Sequence, residues 1–68
     1  MGGGEQLAMA DDELGEVIVE SIRSGLYLKV NAVHVATGRE ASAVGPAAEP
    51  KAVERLAIAK LRRLVHGA

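Results

Sequence analysis

The sequence predicts an α+β fold, a three-stranded antiparallel meander (β-β-β) packed against one C-terminal helix. Three observations predict it. Runs rich in β-branched residues are separated by short glycine turns, the pairing registers of the two resulting hairpins agree on which face is apolar, and the period changes to 3.6 after residue 50.

Residues 1–14 read as a flexible acidic tail. Gly2, Gly3 and Gly4 disfavour order, and Asp11, Asp12 and Glu13 form a solvated run; a helix over residues 5–9 would be weak. Residues 15–68 form the single domain that this length allows. Residues 17–23 read as the first strand, Ser24-Gly25 as a turn, and residues 26–35 as the second strand. Ala36-Thr37-Gly38 is the next turn, residues 39–44 the third strand, and Gly45-Pro46 ends it because proline cannot donate to a ladder.

A two-residue loop at Ser24-Gly25 would set Val19 opposite Val30, Val17 opposite Ala32 and Glu20 opposite Lys29. A four-residue loop over residues 35–38 would set Ala32 opposite Ala41, Val30 opposite Ala43 and Asn31 opposite Ser42. Both hairpins then place Val30 and Ala32 on one face, as a sheet requires.

Pro50 suits the first helical position, and residues 51–66 are mostly good helix formers. Val53, Ala57, Leu61 and Leu64 form a stripe that Ile58 and Val65 widen, while Leu56 points away from it. Arg62, Arg63 and His66 sit where cations favour the helix dipole, and Gly67 caps the end. The helix should cover Val17, Val19, Leu28, Val30, Ala32, Ala41 and Ala43, a face of low volume along the third strand.

So small a domain buries only about 60% of its unfolded surface, and its core supplies roughly 3–5 kcal/mol. Cysteine is absent, which excludes disulfides and thiolate metal sites; His34 and His66 lie far apart, and no metal or cofactor motif is present. Tyr27 is the only aromatic residue. A thin core without staples points to a partner chain. The opposite sheet face offers a surface for one: Ile18, Ile22, Tyr27, Val33 and Val44 stand there among Glu20, Lys29, Asn31, Glu40 and Ser42.

The chemical motifs are weak. Gly2-Gly3-Gly4 follows no strand and lacks a Gly-Lys-Ser/Thr ending, so it is not a phosphate loop. Gln6 stands where a myristoylation signal wants Ser or Thr. The segment before Pro50 could hold an anion at the helix start, but nothing beside it completes a nucleotide site. His34 reads as a surface histidine, because Ser42 and Glu40 on a wet face make no pocket. Glu16, Glu20 and Glu40 lack the cleft that a general acid–base pair needs. The chain is therefore read as not an enzyme.

Charge is unevenly spread although the net is only -1. Before residue 21 all charges are acidic; from Glu49 on, five basic residues (Lys51, Arg55, Lys60, Arg62, Arg63) face two acidic ones (Glu49, Glu54). This is the basis of a runner-up reading, a small nucleic-acid-binding module with phosphate contacts at Arg55, Lys60, Arg62 and Arg63. A sheet with one aromatic residue lacks stacking platforms for such a role. No apolar run approaches the roughly 20 residues of a membrane span. The acidic, glycine-broken start is not a secretory signal, and the lack of cysteine fits a cytoplasmic setting.

The segments G-E-V-I-V-E, R-S-G, L-K-V-N-A-V, A-T-G-R-E-A-S-A-V-G-P and E-R-L-A-I-A-K-L, spread over residues 15–65, resemble a family of short uncharacterised alphaproteobacterial proteins, a domain of unknown function. Lys29-Val30, Ala36-Thr37-Gly38, Ser42, Val44-Gly45-Pro46 and Lys60-Leu61 carry the resemblance most strongly. It implies no activity and transfers no functional residue. The chain departs from the family at Ser21, Ile22 and Ala43, where bulkier or more basic residues are usual. Those departures thin the core and make the outer face more apolar. The leading expectation is a non-enzymatic domain that self-associates, as a homo-oligomer, or docks on a larger protein through its sheet.

Overall fold

The computed structural model describes residues 4–11 and 14–67, and for residues 5–7 and 9–11 the backbone alone. Four antiparallel strands, β1 (Gly4–Asp11), β2 (Gly15–Ser24), β3 (Tyr27–His34) and β4 (Glu40–Pro46), lie side by side in chain order. Helix α1 (Pro50–His66) follows and packs on β3 and β4. Strands β2, β3 and β4 with α1 are the expected meander and helix.

β1 is a correction. Residues 4–11, read from the sequence as flexible tail, pair with β2 along the whole run from Gly4↔Ile22 to Asp11↔Gly15. The segment has no β-branched residue. Its extended form is imposed by the ladder groups of the β2 edge rather than by its own preference. The remainder of the expected tail, apart from Leu14, lies outside the described residues.

The first hairpin differs from expectation by a two-residue slip. Ser24 pairs with Tyr27, so the loop is Gly25-Leu26, and Val19 faces Ala32, Val17 faces His34 and Glu20 faces Asn31. Gly25 has φ +61° and Leu26 has no positive φ, the pattern of a type II′ turn with glycine first. A Ser24-Gly25 loop would have put glycine second and forced Ser24 into a left-handed or mirror-β conformation. The slip is even, so every side chain keeps its predicted face. The second hairpin pairs as expected, with Val30↔Ala43, Asn31↔Ser42 and Ala32↔Ala41. His34 N–H donates to Arg39 O (2.8 Å) and Gly38 N–H to His34 O (2.7 Å), closing the loop between them.

The core consists of Leu14, Val17, Val19, Leu28, Val30, Ala32, Ala43, Val53, Ala57 and Leu61, with Ala41, Ile58 and Val65 packed at its margin. The low volume along β4 is compensated by approach. Ala41, Ala43 and Gly45 present no bulk, so α1 descends until a Cβ added at Gly45 would lie 2.7 Å from Val53 Cγ2. Positions four apart advance about 40° around a helix, so the seam 53–57–61 continues to Val65. Leu64, expected in the core stripe, is left exposed on the rim. Pro50 opens the helix, and Gly67 (φ +70°) closes it by donating its N–H to Arg63 O.

Candidate interaction surface

Strand registers arrange the face opposite α1 into rows. Ala8, Ile18, Val33 and Glu40 form one; Gln6, Glu20, Asn31 and Ser42 the next; then Gly4, Ile22, Lys29 and Val44; and last Ser24, Tyr27 and Pro46. All five expected interface residues therefore share this face. They do not form one patch. The row of Glu20, Asn31 and Ser42 separates Ile18 and Val33 from Ile22, Tyr27 and Val44, and Asn31 Nδ2 donates to Glu40 Oε1 at 3.0 Å beside it. Ile18 and Val33, directly opposite one another, are half-buried.

At the other end the apolar groups are open to solvent. Ile22 is 49% exposed, Tyr27 65% and Val44 62%, and Leu26 at the hairpin tip reaches 80%. The sequence reads Leu26 as a strand residue; in the structure it lies in the turn, opposite the core-packed Ala47 and so on the helix side of the sheet rather than the face of Tyr27. The Leu26 carbonyl accepts the Ala47 N–H at 2.8 Å, so the tip is tied to the connection between β4 and α1. Lys29 lies between Ile22 and Val44 in the third row.

His34 is a second correction. It is buried on the core face, not at the surface. Nε2 lies 2.7 Å from the Leu14 carbonyl and Nδ1 lies 2.8 Å from Thr37 Oγ1. A carbonyl only accepts, so Nε2 carries the proton and donates. In the neutral ring Nδ1 then accepts from the Thr37 hydroxyl, whose oxygen in turn accepts the Arg39 N–H at 3.2 Å. This chain of bonds fastens the β3–β4 loop to the residue that leads into β2. With both ring nitrogens so engaged, His34 serves as a structural clasp. The alternation of Leu28, Val30, Ala32 and His34 already put it on the core face.

The expected phosphate contacts do not converge. Lys60 Nζ donates to Ser42 O at 3.1 Å, on the β4 edge. Arg55 is five positions away and Arg62 two, which places them about 140–160° round the helix from Lys60. Arg62 is half-buried, Arg55 and Arg63 are exposed, and the exposed Lys51 lies 4.0 Å from the half-buried Glu54. The helix thus carries cations on two flanks instead of one stripe.

Among the described residues no group of three or more His, Asp or Glu could hold a metal ion, and no helix is long and apolar enough to cross a membrane. A family model described as a domain of unknown function, DUF6898, matches residues 14–68. The chain belongs to this family. The DUF6898 domain begins at Leu14, the residue clasped by His34, so β2, β3, β4 and α1 lie inside it and β1 outside. No curated protein and no solved structure matches the chain.

Proposed function

We propose that the chain is a non-enzymatic interaction domain that docks on another protein through its outer sheet face. One observation carries this reading. The helix occupies one face, while the other face gathers Ile22, Tyr27 and Val44 at one end, open to solvent. Single exposed apolar residues are ordinary, but a group spanning three strands is characteristic of a contact surface. Tyr27 offers the rigid, amphipathic ring favoured at such contacts. A cytoplasmic setting in an alphaproteobacterium belongs to the same reading, supported by the absence of cysteine and by the sequence resemblance.

The test is a pair of charged substitutions that spare the fold. Ile22→Glu and Val44→Glu would both flank Lys29, so each new carboxylate meets a cation across the strand pair. Ile18→Glu with Val33→Glu would instead oppose two like charges. The tagged chain and the Ile22→Glu/Val44→Glu variant are compared by co-purification from native extract. A bound protein lost with the variant, at unchanged circular dichroism, is the expected result. Equal recovery by both chains would overturn the face as the docking surface.

The nucleic-acid reading has narrower support, the exposed Arg55 and Arg63 on a helix with more basic than acidic residues. Gel-shift titration at two salt concentrations tests it, since phosphate contacts weaken steeply with salt.

A further inference from the structure

We propose that two copies of the chain pair through their β1 strands, joining two four-stranded sheets into one eight-stranded sheet whose two-fold axis passes at Leu7. The proposal rests on the reading of the chain as an interaction domain and names the partner, a second copy, and the edge.

The edge follows from what closes the other one. On β4, Lys60 reaches round from α1 and donates to the Ser42 carbonyl at 3.1 Å, taking an acceptor that an incoming strand would use. Pro46, at the end of the same strand, has no N–H to offer. Lysine and proline are the usual means by which an edge strand is closed. β1 ends the sheet on the opposite side, so alternate N–H and C=O groups of its backbone point away from β2. No lysine, arginine or proline occurs in Gly4–Asp11. The helix lies on β3 and β4, so β1 is held to the fold chiefly through β2. A strand poor in β-branched residues and paired on one side is marginal, and pairing on its free side would secure it.

Charge selects the register. A two-fold axis normal to the sheet pairs residues of like face, so the ladder must centre on a residue. Centred on Ala8, it would set Glu5 directly opposite Asp11 of the other copy. Centred on Gln6 or Met9, it would be shorter. Centred on Leu7, it spans residues 4–10 and pairs Gly4 with Ala10, Glu5 with Met9 and Gln6 with Ala8, with no acid opposite an acid. Glu5 and Asp11 of the two copies remain diagonal neighbours. Association should therefore strengthen as salt is added, opposite to phosphate binding.

The chain has no cysteine, so engineered thiols report directly. The full chain with Leu7→Cys is oxidised and its mass compared with the 7.1 kDa monomer, alongside Glu5→Cys/Met9→Cys as an independent pair and Val44→Cys as the outer-face control. Light scattering of the unmodified chain gives the mass in solution. A dimer cross-linked through both β1 variants and not through Val44→Cys is expected. It should keep its mass when Ile22→Glu/Val44→Glu is introduced. A monomer at all concentrations overturns the pairing and leaves the outer-face reading to its own test. A dimer cross-linked through Val44→Cys alone overturns the β1 edge while supporting the outer face.

Discussion

Gly45 is where the packing of α1 can be tested most sharply. A methyl group added there would lie 2.7 Å from Val53 Cγ2, with Val53 Cβ and Cγ1 at 3.9 and 4.0 Å. Carbon atoms prefer about 3.5–4.0 Å, so the overlap with one methyl is roughly 1 Å. Val53 is only 3% exposed, and a helical valine has one strongly preferred rotamer, so it has little freedom to turn away. Overpacking of this kind costs about 1–3 kcal/mol, offset by about 0.4–1 kcal/mol from the stiffer unfolded chain, for a net loss of about 1–2 kcal/mol. In so small a domain that lowers Tm by about 5–15 °C. Urea unfolding followed by far-ultraviolet circular dichroism measures it. Val53→Ala alone should cost about 1.5–3 kcal/mol for two buried methyl groups and the space they leave. In the double variant the methyl added at 45 occupies part of that space. Gly45→Ala/Val53→Ala should then be more stable than the sum of its parts by about 1 kcal/mol or more. Gly45→Ala at wild-type stability, or strict additivity of the pair, would refute the close approach as the reason for glycine.

The His34 clasp makes two further predictions. His34→Ala removes the donor to the Leu14 carbonyl and leaves a cavity, which should cost about 2–4 kcal/mol in the same unfolding experiment; an unchanged midpoint would refute the clasp. Thr37→Val keeps the shape, loses both hydroxyl bonds and should cost about 1 kcal/mol. Nitrogen NMR of the wild-type ring should report the proton on Nε2, and a proton on Nδ1 of the neutral ring would contradict the bond directions. Lys60→Ala should change stability by less than about 1 kcal/mol, because the bond to Ser42 O is exposed. The opened β4 edge should nevertheless raise aggregation in light scattering on storage.

Much of the fold was legible because its signals are local. Alternation along β2, β3 and β4 fixed which side chains face the helix, and Pro50 and Gly67 marked the helix ends. The parity of the faces survived the two-residue slip of the first hairpin because side-chain direction has period two. The segments that carry the family resemblance have structural roles. Thr37 supports the His34 clasp, Gly45 admits Val53, and Lys60 closes the β4 edge. The site was less legible. Periodicity gathered Ile18, Ile22, Tyr27, Val33 and Val44 on one face, but only the registers showed a polar row dividing them.

The sequence by itself determined a β-β-β-α unit, its core face and its helix boundaries, since turn chemistry and periodicity act within a few residues. Tertiary structure alone decided that residues 4–11 form a strand, that His34 is bonded at both nitrogens, and that Lys60 guards an edge. Each of these depends on a backbone partner outside the segment itself: the free ladder of β2, the carbonyl of Leu14, the carbonyl of Ser42. A backbone acceptor carries no side-chain signature, so alternation could place His34 on the core face but could not name the bonds it makes there.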